Sequence, residues 1–243
     1  MKLAILLPVK NRAETINRAI DSVVNQTIFK NNLFDYEIVL VDNCSEDNLL
    51  EKIKGYKNIK YLFCSSPGIV PALNTGLYYI LSKPEFEYVA RIDGDDEWNK
   101  LKIEKQINFL LQNKDIDICG TQMEFIPEEQ STTIPFKFTQ YPLEDNEIKK
   151  FILFGGNPFG HPSIIYKKEI FLKFGGYDET YKFAEDLDLW VKCLKYFKFA
   201  NLPEVLVKYS FGNKDKTYQK IQSQSAKFIL NKTIDFYTYY ANI

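Results

Sequence analysis

Tyr88-Val89-Ala90-Arg91-Ile92-Asp93-Gly94-Asp95-Asp96-Glu97-Trp98 is an apolar run that ends in acid. Tyr88 to Ile92 reads as a short buried strand. It leads straight into three aspartates within four residues. Carboxylates clustered at a strand end repel one another unless a positive charge sits among them. A hard divalent cation suits that place, taking oxygen ligands from one or two carboxylates and filling its shell with phosphate oxygens. An Asp-x-Asp also occurs as a solvated acidic turn, so the surrounding chain must carry the reading.

Three units of the same kind precede it. Leu3 to Leu7 is a continuous apolar run stopped by Pro8, which suits a buried parallel strand. Asn11 stands three residues before Glu14, a capping-box spacing with Asn11 as the N-cap. The helix that follows places Ile16, Ala19, Ile20, Val23 and Val24 on one face. Tyr36 to Val41 is a second strand, ending at Asp42-Asn43, and residues 46–54 form a weaker helix. Ile59 to Phe63 is a third strand. The turn Ser65-Ser66-Pro67-Gly68 leads into a helix from about Pro71 to Leu81, with proline tolerated in its first turn. This alternation predicts a mostly parallel α/β sheet with helices on both faces and ligands at the carboxyl ends of its strands. No Gly-x-Gly-x-x-Gly follows the first strand, which counts against a dinucleotide cofactor.

Beyond Trp98, Ile103, Ile107, Leu110 and Leu111 mark a helix, and a strand begins over Ile116 to Cys119. Residues 126–142 read as a surface excursion and Leu143 to Phe154 as a helix. The breaker-rich loop Gly155 to Pro162 precedes a short strand, Ser163 to Tyr166. A helix from Glu185 carries Leu189, Trp190, Cys193, Leu194 and Phe197, and Val205 to Tyr209 is a late strand. The tail from Tyr218 is helical and ends in Phe236, Tyr237, Tyr239 and Tyr240.

Of the 243 residues, 45% are hydrophobic and 26% charged, the balance of a globular protein, and the net charge of -1 disfavours nucleic acid as a partner. Cys44, Cys64, Cys119 and Cys193 are too dispersed for a zinc site or a disulfide framework, which points to reduced thiols and a cytoplasmic location. The opening apolar run is too short for a signal sequence or a membrane span. The aromatic tail has three readings: packing on the domain, a homodimer contact, or peripheral contact with a membrane. It lacks the Lys/Arg-rich face of an interfacial helix.

Six segments in order resemble family 2 glycosyltransferases of the GT-A fold: Leu7-Pro8-Val9-Lys10-Asn11-Arg12; Asp21-Ser22-Val23-Val24-Asn25-Gln26-Thr27; Val39 to Asp47; Pro71-Ala72-Leu73-Asn74-Thr75-Gly76-Leu77; Ala90 to Asp96; and Ala184-Glu185-Asp186-Leu187-Asp188-Leu189-Trp190. The resemblance covers about residues 3–210, and the second half is most similar to bacterial enzymes that extend lipooligosaccharide or capsular glycans. It implies one GT-A domain over 1–243, with a nucleotide-sugar half over 1–98, an acceptor half over 99–212 and a helical tail over 213–243. It implies an inverting hexosyl- or N-acetylhexosaminyltransferase that moves a sugar from a nucleotide-sugar, UDP-linked, to a glycan or glycolipid acceptor with the help of Mn2+ or Mg2+.

By the same resemblance Asp95 is the direct metal ligand and Asp93 contacts ribose or the metal shell. Pro8, Val9, Asn11 and Asn74 belong to the nucleotide pocket, and Asp42 contacts the uracil ring. Asp96 is either a further acidic ligand or the cap of the next helix. Arg91 pairs with a carboxylate or a phosphate. Inversion needs a base to take the acceptor hydroxyl's proton. The resemblance gives that role to Asp186, supported by Glu185, whereas two acids at a helix start also suit the helix dipole. His161, the only histidine, is a hydrogen-bonded structural residue, a neighbour of the sugar, or a metal ligand. Many relatives carry a metal-binding histidine where this chain has Gly212. That departure keeps open a catalytically silent member that binds a nucleotide or glycan. A nucleotidyltransferase would need a glycine-rich loop after the first strand, and Pro8 to Arg12 has no glycine.

Overall fold

The computed structural model describes residues 2–30, 34–128, 133–134, 136–181, 183–212, 223–224 and 226–231. Its first half follows the predicted alternation: β1 (Lys2–Val9), α1 (Ile16–Val24), α2 (Thr27–Lys30), β2 (Asp35–Asp42), α3 (Leu49–Ile53), β3 (Ile59–Phe63), α4 (Ile69–Leu81) and β4 (Phe86–Arg91). The second half contains β5 (Glu97–Trp98), α5 (Lys102–Gln112), β6 (Ile118–Pro127), α6 (Asp145–Leu153), a 3-10 turn at His161–Ser163, β7 (Ile165–Lys167), α7 (Glu169–Phe174), α8 (Glu185–Cys193) and β8 (Phe199–Phe211).

These strands form one sheet in the order β3-β2-β1-β4-β7-β6-β8-β5. β1 pairs in parallel with both β2 and β4, and β6 with β8. Among the described strands only β7 and β5 run against their neighbours. The carboxyl ends of β1, β2 and β4 therefore share one edge, where Val9 stands opposite Asp42. Because β7 is antiparallel to β4, the turn that precedes it lies at that same edge.

Alternation along β1 divides the core. Leu3, Ile5 and Leu7 pack with Ile16, Ile20 and Val23 of α1 and with Ile103, Ile107 and Leu110 of α5. Ala4 and Leu6 face the other way, toward Leu73, Leu77 and Ile80 of α4 and Trp190 of α8. Both sheet faces are thus covered, as a largely parallel sheet requires. Gly76 lets α4 lie close on the sheet, since a Cβ there would meet Leu6 Cδ1 at 2.2 Å.

Several sequence readings change. The first helix begins at Ile16, and Asn11 is not its cap. Asn11 adopts a left-handed backbone (φ 53), and its Oδ1 accepts from the Glu46 N–H at 2.8 Å. β8 begins at Phe199, six residues before the expected start, and runs through Pro203. The register jumps there, from Thr121 opposite Leu202 to Gln122 opposite Val205. That irregularity removes the need for a backbone N–H at Pro203. β6 likewise continues to Pro127, inside the expected surface excursion. β5 and α7 were too short to carry a periodic signal. The expected aromatic cluster of the tail lies outside the described residues.

Candidate active site

The acidic stretch occupies the predicted edge. Behind β4 the chain turns back at once, with the Asp96 N–H donating to the Asp93 carbonyl at 3.2 Å. Glu97 and Trp98 then pair with Lys208 and Val207 of β8. The aspartates are therefore held between two strands. Asp93, Asp95 and Asp96 each offer a carboxylate oxygen, and these lie within 4.8 Å of one another.

The three carboxylates have different environments. Asp93 pairs with Arg91 at 2.5 Å, while Arg91 itself is buried and its Nε finds no partner among the described residues. Burial pushes the Asp93 carboxyl up, and Arg91 opposes that shift. Asp95 pairs with Arg12 at 2.8 Å. Burial raises its carboxyl too, with the Arg12 guanidinium pulling the other way. Asp96 is fully buried, and its Oδ1 accepts from the Ser210 N–H at 2.8 Å. Its Oδ2 is buried with no hydrogen-bond partner among the described residues. Burial, then the neighbouring Asp93 and Asp95, lift its carboxyl well above the ordinary range. Asp96 caps no helix, because the next one starts at Lys102, beyond β5.

A cleft of about 580 Å³ opens from this cluster. Pro8, Arg12, Arg91, Asp93, Asp95, His161, Glu185 and Asp186 all line it. The two acidic ends expected from sequence, far apart in the chain, thus meet in one depression. Glu185 and Asp186 open α8, directly after Ala184, whose backbone sits at φ 127. A non-glycine residue there stores strain, of the order of 1–3 kcal/mol, as active-site neighbours often do. The Asp186 Oδ2 accepts from the Asn157 side chain at 2.7 Å, and its Oδ1 from the Leu187 N–H at 2.8 Å. Burial, then the adjacent Glu185, raises its carboxyl.

His161 is buried among these groups. Its Nε2 meets the Tyr177 hydroxyl at 2.8 Å, and that hydroxyl meets the Tyr166 hydroxyl at 2.7 Å. Its Nδ1 faces Glu185 at 3.6 Å, too far for a hydrogen bond. Burial, then Arg91, lowers the imidazole to about 3, so it is neutral near pH 7. It lines the cleft floor as a hydrogen-bonded residue.

Beside the cleft, Asp42 and Val9 share the sheet edge. The Asp42 carboxylate accepts from the Ser45 N–H at 2.9 Å and the Tyr61 hydroxyl at 2.8 Å. Asn11 ties the two loops together, since its N–H also donates to Ser45 Oγ at 3.0 Å. Asn74 is placed elsewhere. It is buried on α4, and its amide clasps Tyr177, donating to the carbonyl at 2.9 Å and accepting from the N–H at 2.8 Å. Like Val9, Asn11 and Asp42, it is not among the residues that line the cleft.

Two cleft residues, Arg12 and Glu128, and one that touches the cleft residue Asp186, Asn157, carried no signal of their role in the sequence. Arg12 lay inside a quoted segment, but its charge was given no role. Glu128 follows the end of β6 and faces Arg12 at 3.6 Å. It also lies against Gly212, where a Cβ would meet Glu128 Oε2 at 2.0 Å, and nothing in the sequence marks that contact. Asn157 was hidden among the breakers of its loop.

Residues 4–175 match the sequence profile of Glycosyl transferase family 2. The chain is 28% identical over 241 residues to the O-antigen biosynthesis glycosyltransferase WbnJ of Escherichia coli, covering 95% of this chain and 89% of that one. Among solved structures it resembles S. aureus TarS 1-349 in complex with UDP-GlcNAc, with a TM-score of 0.68 and 19% identity, covering 96% of this chain and 72% of that one. It also resembles the mannosyltransferase PcManGT of Pyrobaculum calidifontis in complex with GDP-Man and Mn2+, with a TM-score of 0.67 and 16% identity, covering 96% of this chain and 64% of that one. At such identities the two structures speak for the fold, which is GT-A.

Proposed function

The chain belongs to glycosyl transferase family 2 and is a glycosyltransferase, and from that premise we propose that it transfers a sugar from a UDP-sugar to a glycan or glycolipid acceptor with inversion. The observation that carries this reading is the shared cleft, which Asp93, Asp95 and Asp186 all line. Asp42 beside it is the candidate contact for the base. The TarS complex holds UDP-GlcNAc and the PcManGT complex GDP-Man, so both nucleotides belong in the donor test.

The acidic end fits a divalent cation. Its donors are hard carboxylate oxygens, and the buried Asp96 Oδ2 beside them has no hydrogen-bond partner among the described residues. Asp95 and Asp93 would hold the ion, which when bound neutralises charge developing on the departing diphosphate. Asp186 takes the proton of the acceptor hydroxyl. That oxygen attacks the anomeric carbon on the face opposite UDP. The sugar–phosphate C–O bond breaks with its electron pair leaving on UDP. A carboxylate raised above its ordinary value is a better base for this step. Glu185 sits between His161 and Asp186 and shapes the local charge.

A thermal-shift panel of nucleotide sugars, with and without Mn2+, selects the donor, since stabilisation follows ligand concentration over Kd. Asp186→Asn is expected to abolish transfer while leaving UDP binding intact. Full activity in that variant would remove Asp186 as the base.

A further inference from the structure

The loop Gly155 to Pro162 reaches the cleft, yet the reaction just described uses none of its side chains. One of them touches the candidate base. The Asn157 amide donates to Asp186 Oδ2 at 2.7 Å. We propose that Asn157 is the positioning residue of the Asp186 carboxylate, and that the indole of Trp190 fixes which way the amide faces. The proposal rests on the reading of Asp186 as the base.

The orientation follows from donor and acceptor chemistry. The Trp190 indole N–H can only donate. It meets Asn157 Oδ1 at 3.2 Å, and the Phe159 backbone N–H points to the same oxygen at 3.4 Å. Two donors on one atom require that atom to be the carbonyl oxygen. The amide N–H is then the group left facing Asp186. Hydrogen bonds to a carboxylate are charge-assisted and stronger than neutral ones. With Leu187 N–H on Oδ1, each oxygen of the base holds one fixed donor. Each keeps capacity for one more hydrogen, which is what a general base needs.

The parts are rigid. Trp190 is fully buried and packs edge-on against Phe159, with ring centres 5.2 Å apart. It follows Asp186 by four residues on α8, so base and indole share one helix face. Pro158 confines the Asn157 backbone to extended conformations. The Pro158 carbonyl is tied to β8 by the Asn201 amide at 3.1 Å. Asn157 thus bridges two residues of one helix from a loop that cannot easily move away.

The test is a 13C NMR titration of the full chain labelled at aspartate carboxyls, with the Asp186 signal identified by its loss in Asp186→Asn. In Asn157→Ala the Asp186 midpoint should rise by about one pH unit, because a hydrogen bond that favours the charged form is gone. Asn157→Asp should raise it further, by placing a second carboxylate beside the first. Trp190→Phe keeps the ring and removes only the N–H, so it should shift the midpoint the same way by less. Turnover of the panel-selected donor should fall roughly tenfold in Asn157→Ala with its KM unchanged, because the carboxylate is then aimed less well at the acceptor hydroxyl. An unmoved Asp186 midpoint in Asn157→Ala overturns the proposal. If that variant does not fold, an unmoved midpoint in both Asn157→Asp and Trp190→Phe does the same. Turnover retained by Asp186→Asn would instead overturn the base assignment itself, and the positioning role with it.

Discussion

Arg12→Ala should tighten the binding of Mn2+ to the nucleotide-free protein. Arg12 Nη2 lies 2.8 Å from Asp95 Oδ2, and its Nη1 faces Glu128 at 3.6 Å. The guanidinium therefore stands where an incoming cation would take a carboxylate oxygen. Two unit charges about 4 Å apart attract by roughly 4 kcal/mol at an effective dielectric near 20. Arg12 is 43% exposed, so solvent and salt screen much of this, leaving about 1–2 kcal/mol. A cation must displace that interaction to reach Asp95. Removing it should lower the Kd for Mn2+ by about tenfold, since 1.4 kcal/mol is a factor of ten. Calorimetric titration with Mn2+ alone reads the effect, and Glu128→Gln should move affinity the opposite way. An Arg12→Ala protein that binds Mn2+ equally well, or more weakly, would show that the ion does not compete with this guanidinium.

Gly176→Ala should destabilise the fold by about 2–3 kcal/mol in a urea melt, because Gly176 has φ 120 and a Cβ there would lie 2.7 Å from Asn74 Oδ1, the acceptor of the Tyr177 N–H. Tyr61→Phe leaves the buried Asp42 Oδ2 without its hydroxyl donor and should cost about 1 kcal/mol in stability and several-fold in UDP affinity, read by melting and calorimetry. Lys102 is fully buried against Gln106 and the Trp98 ring, and burial lowers its amine well below the ordinary value. The unfolded chain then binds the extra proton, so stability should climb as pH rises from the lowered value toward about 10.4, and Lys102→Met should abolish that slope between urea melts at acid and alkaline pH.

The first half was legible because each of its strands is a mainly apolar run followed within a few residues by an acid or a breaker. Leu3 to Leu7 and Tyr36 to Val41 are fully local signals. The second half was harder. β8 contains Asn201 and Pro203, residues that locally argue against a strand; Asn201 pairs in register with Gly120, and Pro203 falls where the register with β6 jumps. β5 has two residues, too few to show a period, yet it holds the aspartate turn in place. The acids of the site could be picked out because a carboxylate cluster is conspicuous in sequence. Their partners could not. Arg12 pairs with Asp95 across 83 positions, and Asn157 reaches Asp186 across 29. Asn74 shows the converse. It falls in a family-like segment, but its amide is engaged by Tyr177 at the carboxyl side of a distant glycine pair.

The charge inventory of the cleft leads to a last prediction. Among the described residues five carboxylates line it, those of Asp93, Asp95, Glu128, Glu185 and Asp186, against the cations Lys10, Arg12 and Arg91, while His161 is neutral. Arg91 already faces Asp93, and Arg12 faces Asp95 and Glu128. A diphosphate donor therefore enters a cleft whose acids outnumber its cations. Without added metal, binding should improve as the raised carboxyls of Asp93, Asp95 and Asp186 take up protons and the repulsion fades. With saturating Mn2+ the slope should reverse, because protons then compete with the ion for the same oxygens. UDP-GlcNAc is the suitable probe, since its diphosphate is esterified at both ends and keeps its charge across this range. Calorimetry from about pH 5 to about pH 7.5, in EDTA and in Mn2+, should give affinities of opposite slope. Slopes of the same sign would mean that the carboxylate cluster and the diphosphate do not share a cation.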